Sequence, residues 1–219
     1  MITVWSISSL ILAYLLGSIP TAVWIGQYFY KIDVREYGSG NAGATNTFRV
    51  LGKKAGIPVM CIDILKGFTA TNLAYLSILG MPSAVNNHSV VFTNYELALG
   101  ITAVMGHLFP IFAGFRGGKG VATLCGMVLA VNLQAALLCV VVFIIVLLIT
   151  KYVSLSSIVA SFTYLIGVTF VYPVSVRSVV IYGMCICVLI LVTHQKNIER
   201  LIRGRESKVN LFKKKTADV

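Results

Sequence analysis

The chain is poor in charge, and the little it has is one-sided. Of 219 residues only 11% are Asp, Glu, Lys or Arg, with seven acidic against eighteen basic. A soluble domain carries about 25% charged residues, so that class is excluded. Proline is scarce too, with five in the chain. The five cysteines, Cys61, Cys125, Cys139, Cys185 and Cys187, form no CxxC pair and all lie in apolar stretches. They read as buried thiols packing like small hydrophobes, not as a disulfide scaffold. The alternation of apolar and polar residues that marks a transmembrane β-barrel is missing, because residues 137–149 are one continuous apolar run. Disordered and fibrous classes are excluded with it.

What is present instead is grease: 58% of residues are apolar and mean hydropathy is +0.89. The expectation is an all-α, polytopic membrane bundle forming a single domain over 1–219, with a basic tail at 210–219. Seven apolar segments can be read, at about 4–27, 56–79, 95–112, 120–131, 133–150, 153–172 and 178–193. The first has neither a basic leader nor a cleavage site, so it reads as a retained helix rather than a signal peptide. Residues 120–150 are too long for one span. Asn132 and Gln134, the strongly polar side chains inside that stretch, divide it and leave a short fourth helix. Ser18 and Pro20 kink or polarise the end of the first.

The net charge of +11 would suggest nucleic acid in a soluble protein. Here the aromatics sit in apolar spans, where stacking platforms cannot form, so no nucleic-acid partner is expected. An anionic membrane surface or a small anionic substrate fits better. Basic residues also set orientation. Lys31, Arg35, Arg49, Lys53 and Lys54 follow the first span, Arg116 and Lys119 the third, and Lys151 the fifth. Eight more lie in the tail, from Lys196 to Lys215. All sixteen fall on one side, against Arg177 on the other. With seven spans the N-terminus is outside and the tail in the cytoplasm.

Three polar clusters share the cytoplasmic side. The first runs Gly38, Ser39, Gly40, Asn41, Ala42, Gly43, Ala44, Thr45, Asn46, then Arg49. It satisfies GxGxxG, but a dinucleotide site needs a preceding strand, and an apolar helix stands there instead. Three glycines in six residues can still turn backbone amides toward one anion, with Arg49 as a guanidinium fork. The second contains Gly106, His107 and Pro110, then Arg116, Gly117, Gly118, Lys119 and Gly120, leading into an apolar helix. It is no Walker A loop: Ala113 and Gly120 occupy positions that need Gly and Ser/Thr. A helix start with Lys119 beside it nevertheless suits phosphate. The third holds His194, Asn197, Arg200, Arg203 and Glu206. On one continuous helix, His194, Asn197, Arg200 and Arg203 form a single stripe. A tail gripping anionic lipid would explain its arginines, but not His194, Asn197 or Glu206. Asp63 and Lys66, three apart inside the second span, are either a structural ion pair or a substrate contact. His88 in the outer loop reads as bystander surface. No metal-ligand spacing and no cofactor motif is present.

Taken in order, these motifs resemble the bacterial acyl-phosphate:glycerol-3-phosphate acyltransferase family. The resemblance rests on Ser39-Gly40-Asn41, Gly43-Ala44-Thr45-Asn46 and Arg49. It continues through Gly106-His107, Phe109-Pro110 and Gly117-Gly118-Lys119-Gly120-Val121-Ala122-Thr123. In the tail it takes in His194, Asn197-Ile198, Arg200-Leu201, Gly204, Glu206 and Lys208. Arg116 departs from the family's usual Lys and keeps its charge. The resemblance implies acyl transfer, at the cytoplasmic face of the cell membrane, from a long-chain acyl phosphate to the sn-1 hydroxyl of glycerol 3-phosphate. Lysophosphatidate and phosphate leave, with no covalent acyl-enzyme and no cofactor. Ser39, Gly40, Asn41, Gly43, Thr45, Asn46 and Arg49 would hold one phosphate, and Gly117, Gly118, Lys119 and Gly120 the other. Asn197 would fix the acceptor, with His107, Arg116, Glu206, Asp63 and Lys66 in support. His194, His107 and the donor phosphate all stand as possible acceptors of the hydroxyl proton. The main rival is a phosphate or organophosphate transporter, which also aims broken-helix termini at anions. Against it, the outer side has almost no polar groups, and no inverted repeat is visible.

Overall fold

The computed structural model of the chain describes residues 4–80, 90–173 and 175–209. His88 and the tail 210–219, including Lys213, Lys214 and Lys215, lie outside the described residues. Among those described, every regular element is helical. Helix α1 (Val4–Gly17) and α2 (Thr21–Tyr30) meet at 43°. The segment expected as one helix breaks because Pro20 has no N–H to donate and disfavours helical geometry at Ile19. A short helix α3 (Ala44–Leu51) then turns at Gly52, whose φ of 82° suits only glycine, into α4 (Lys53–Asn72). Helix α5 is Val90–Leu108, α6 Val121–Val131, α7 Leu133–Thr150 and α8 Val153–Ile166. The α6–α7 break falls where the sequence placed it. The Asn132 side chain accepts the Ala135 N–H at 2.9 Å and caps α7. Helix α9 (Arg177–Thr193) is followed by α10 (Gln195–Ile202) at an angle of 65°.

Among the described residues, length and composition qualify four helical stretches to cross a membrane, Lys53–Leu76, Val90–Ala113, Leu133–Thr150 and Val153–Val171. The bent pairs α1–α2 and α9–α10 raise the number to six. Eleven-residue α6 rises only ~16 Å, about half of a ~30 Å hydrocarbon core. It does not make a seventh full span.

Lipid chains are as apolar as leucine, so helices in a bilayer associate through close packing rather than hydrophobic expulsion. Two crossings here are built by reciprocal glycines. Between α1 and α5, a Cβ on Gly17 would lie 2.0 Å from the Ala103 carbonyl oxygen, and one on Gly106 2.4 Å from that of Tyr14. Between α4 and α6, a Cβ on Gly67 would lie 2.1 Å from Thr123 O, and one on Gly126 1.9 Å from Ile64 O. The second crossing fixes where α6 begins. Gly126→Ala must push two backbones apart, and overpacking of this kind costs about 1–3 kcal/mol. Thermal unfolding in detergent is expected to show that loss for Gly126→Ala. Gly183→Ala, whose new methyl would meet Leu165 Cδ1 at 3.2 Å, should unfold near the wild-type temperature.

Tyr164, Met127, Leu124 and Ile186 centre the apolar core around α6, α8 and α9. The cysteines divide: Cys139 is buried in that core, Cys187 is buried and Cys125 half-buried, but Cys61 and Cys185 are exposed on the outside of the bundle. The expectation of five buried thiols is corrected accordingly. Apolar neighbours in sequence mark the membrane without marking the interior.

Candidate active site

Loop one, the glycine-rich stretch before α3, is organised by Asn46. That residue is 1% exposed, and its amide is fully engaged. Oδ1 accepts from the Ser39 N–H (2.8 Å) and hydroxyl (3.1 Å), while Nδ2 donates to the carbonyls of Val34 (2.7 Å) and Tyr37 (3.1 Å). Asn46 was expected to touch an anion; it shapes the loop instead. Gly38 and Gly40 have φ of 64° and 70°, and a Cβ on Gly38 would strike Asn46 Oδ1 at 2.4 Å. These turns leave Ser39 and Arg49 exposed, with the Arg49 side chain passing beside Gly38. Asn41 and Gly43 are half-buried, and Thr45 is exposed.

Loop two folds back on the end of α5. The Gly117 and Gly118 amides donate to the carbonyls of Leu108 and His107, both at 3.2 Å. They are therefore spent, and the expectation that these amides cradle a phosphate is corrected. The glycines are needed for another reason. A Cβ on Gly117 would lie 2.0 Å from His107 O, and one on Gly118 2.2 Å from His107 Nε2. Beyond them Gly120 (φ 78°) caps α6, whose first intrahelical bond runs from Leu124 N–H to Gly120 O at 2.7 Å. The amides of Val121, Ala122 and Thr123 precede that bond, as unpaired helix-start donors do.

Beneath both loops lies a buried polar knot. Asp63 Oδ1 accepts from Lys66 Nζ (2.8 Å) and the Thr21 hydroxyl (3.1 Å). Lys66 also donates to Ile19 O at 2.9 Å, satisfying a carbonyl freed by the α1–α2 break. His107, 6% exposed, pairs its Nδ1 with the Thr123 hydroxyl at 3.1 Å. A cavity of about 10 Å³ touches this knot, Ala42 and Gly117–Gly118. Of the two readings open for Asp63 and Lys66, this packing favours the structural pair.

The third cluster closes the site. Lys119 donates to Asn197 Oδ1, Asn197 Nδ2 to Glu206 Oε1 (2.6 Å), and Arg200 Nε to Glu206 Oε2 (2.7 Å). The Ser154 hydroxyl on α8 also donates to Glu206 Oε1, at 2.8 Å. Burial works against the ionised Glu206, but the hydrogen bonds from Arg200, Asn197 and Ser154 hold its carboxyl below the usual range. Burial pushes the Lys119 ammonium down to about 8; Glu206 opposes the shift, and the cations Arg200 and Arg49 add to it. Arg49, Lys119 and Arg200 thus converge from three parts of the chain, with Glu206 beside them. Arg116 is exposed at the rim.

The expected single stripe on the third helix divides. The chain turns at His194, the last residue of α9's backbone path and the first before α10. Asn197 and Arg200 face Glu206, but exposed Arg203 pairs with Glu199 at 2.9 Å. His194 is 3% exposed, and its Nδ1 lies 2.9 Å from Ile190 O. Only a protonated Nδ1 bonds a carbonyl, which leaves Nε2 as the acceptor nitrogen of the neutral ring. Among the described residues, no three His, Cys, Asp or Glu side chains stand close enough to hold a metal.

One pair escaped the sequence reading. Asp33 and Arg35 form a chelated ion pair at 2.7 Å, and hydrogen bonding by Arg35 holds the Asp33 carboxyl below its ordinary pKa. The DxR spacing was the available signal, and Arg35 registered only as a topological charge.

Comparison with known proteins agrees along nearly the whole chain. Residues 7–204 match the family described as glycerol-3-phosphate acyltransferase. The glycerol-3-phosphate acyltransferase of Enterococcus faecalis is 43% identical over 209 residues, covering 92% of this chain and 90% of the relative. That of Staphylococcus haemolyticus is 42% identical, with 91% and 96% covered. A crystal structure of PlsY, an integral membrane glycerol 3-phosphate acyltransferase in its glycerol 3-phosphate form, superimposes with a TM-score of 0.79. It is 39% identical over 95% of this chain and 99% of that one. The lysophosphatidic acid form gives 0.76 at 38% identity.

Proposed function

Since the chain belongs to the glycerol-3-phosphate acyltransferase family, we propose that it moves a fatty acyl group from acyl phosphate to the sn-1 hydroxyl of glycerol 3-phosphate. The hydroxyl oxygen attacks the acyl carbonyl carbon, the carbon–oxygen bond to phosphate breaks, and 1-acyl-glycerol 3-phosphate leaves with inorganic phosphate. The observation that carries this reading is the convergence of Arg49, Lys119 and Arg200 on one buried-to-exposed mouth, tied by Asn197 and Glu206. Three cations at one place are costly unless anions come between them, and this reaction brings two phosphates together. Glycerol 3-phosphate and lysophosphatidic acid occupy the related PlsY structures, in keeping with acceptor and product.

Roles follow from which donors are free. Arg49 receives the phosphate of glycerol 3-phosphate, with Asn41 and Thr45 at the loop's edge, and exposed Ser39 joins them by turning its hydroxyl from Asn46 Oδ1 to the anion. Lys119 and the first amides of α6 neutralise the departing phosphate, whose leaving is the step that charge stabilisation accelerates. Asn46, Gly117 and Gly118 hold these loops in shape. Neutral His194, with Nε2 accepting, orients the attacking hydroxyl. A ring buried to 3% exposure with its Nδ1–H committed to Ile190 O is a poor resting place for an added proton's charge. A phosphate with a second pKa of about 6 is a better one, so the proton leaves on the phosphate. An already activated donor needs little beyond this positioning.

The sixteen basic residues assign the mouth and the tail to the cytoplasm; the N-terminus is then outside, with short α6 and the loop before it together making the odd crossing, and the whole chain is one membrane domain in the cell membrane. Purified protein given labelled glycerol 3-phosphate should form lysophosphatidate from palmitoyl phosphate and not from palmitoyl-CoA. Product from the thioester, or vesicle uptake without product, would sink the donor assignment or the enzyme reading respectively.

A further inference from the structure

The two loops face one site and come from distant parts of the chain. Gly118 packs against the Ala42 carbonyl, and a guanidinium bonds the two loops together. Arg35 Nη1 donates to the Ala113 carbonyl at 2.8 Å and, at longer range, to that of Arg116 at 3.4 Å. Its Nε and Nη2 grip both oxygens of Asp33, at 3.0, 3.1 and 2.7 Å, and Asp33 also accepts the Arg35 amide at 2.9 Å. Asp33 therefore fixes the plane of the fork, leaving Nη1 as the arm that reaches across.

Where that arm lands is informative. Ala113 and Arg116 bracket Gly114 and Phe115, and Phe115 has φ of 57°, a left-handed conformation that side chains rarely adopt. Such a turn persists only where its surroundings over-determine it. Arg35 bonds both of its flanks. At the other end, the Arg35 carbonyl backs the turn at Gly40, 3.5 Å from where a Cβ would stand.

We infer that Arg35, held by Asp33, is a positioning residue that sets the separation of the two anion-binding loops, and with it the spacing at which two phosphate groups are received. The inference rests on the function proposed above only for the identity of those anions.

The test uses the full chain in detergent, with glycerol 3-phosphate binding by calorimetry, initial rates with palmitoyl phosphate, and a melting temperature for every variant. Arg35→Ala is expected to raise KM and Kd for glycerol 3-phosphate about 10-fold or more, the scale of a lost charged hydrogen bond. Its kcat should stay within about threefold of wild type. Guanidinium added to Arg35→Ala should recover most of the affinity. Arg35→Lys should not, because a point charge cannot hold Asp33 and the Ala113 carbonyl in one plane. Arg203→Ala should leave KM unchanged. Wild-type KM in Arg35→Ala, or full recovery by Arg35→Lys, overturns the clamp. If Arg35→Ala fails to fold, Asp33→Asn decides: the same KM rise at an unchanged melting temperature supports the clamp, and a wild-type KM overturns it. Wild-type protein that binds glycerol 3-phosphate but transfers no acyl group overturns the function, while the clamp still stands or falls on the ratio of affinities.

Discussion

Lys119→Ala is expected to lower kcat with palmitoyl phosphate by about 10²–10³-fold, the loss seen when one group stabilising a departing charge is removed. The side chain is half-buried between Arg49, Arg200 and Glu206, so water cannot easily replace its charge, and Asn197 loses its partner. Lys196→Ala, exposed on α10, should cost little; equal small effects would remove Lys119 from the mechanism. The same residue sets a pH dependence. Its pKa is depressed to about 8, so the ammonium is present below that pH and lost above it. In the free enzyme kcat/KM should therefore decline as pH rises through about 8. Lys119→Arg, which stays charged, should lose that decline whatever its absolute rate. Initial rates between pH 6.5 and 9.5 (a range of about three units around the expected midpoint) check both.

Glu206→Ala is expected to damage stability and turnover together. That carboxylate, with a side chain 6% exposed, receives Ser154, Asn197 and Arg200. It is the knot joining the chain after α10 to α8 and to the site. Removing it strands buried donors and leaves Arg200 without its counter-charge, a loss of about 3 kcal/mol. Asn197 is then free to rotate, and Lys119 loses a fixed acceptor, so kcat should fall about 10-fold or more. Glu199→Ala provides the contrast. Its ion pair with Arg203 is 62% and 57% exposed, and exposed pairs contribute under about 1 kcal/mol. Detergent melting curves with a single-turnover assay separate the two variants. A Glu206→Ala protein that melts and turns over like wild type would show the knot to be ornamental.

How far the sequence revealed this arrangement varied with the physics of each element. Asn132 was legible as a break because a polar side chain inside an apolar run has few places to go except a helix cap. Pro20 was legible because it lacks an N–H. The three motifs were legible as a group because plain topological anchoring accounts for the cations but not for the glycines clustered with them. The turn at His194 was hidden: helical periodicity continues through it, and only the hydrogen bonds to Glu206 draw α10 aside. The spending of the Gly117 and Gly118 amides was hidden too, since composition shows that a backbone can approach but not what it meets. Arg35 was hidden because its partners lie 78 and 81 residues away. The outward-facing Cys61 and Cys185 could not be told from Cys139, because in lipid both faces of a helix are apolar.

The shortness of α6 sets the depth of the chemistry. Helix α7, with 18 residues, rises ~27 Å, and α6, joined to its start at Asn132, climbs back only ~16 Å. From Asn132, the path back to the start of α6 and Lys119 is therefore roughly 10 Å shorter than the length of α7. For the reaction proposed above, a lipid-soluble donor would then present its carboxyl carbon without being lifted out of the leaflet, while a water-soluble acceptor descends to it past the cations of the mouth. On that reading the small polar molecule, not the greasy one, crosses the phase boundary, which spares the far larger cost of exposing a fatty tail to water.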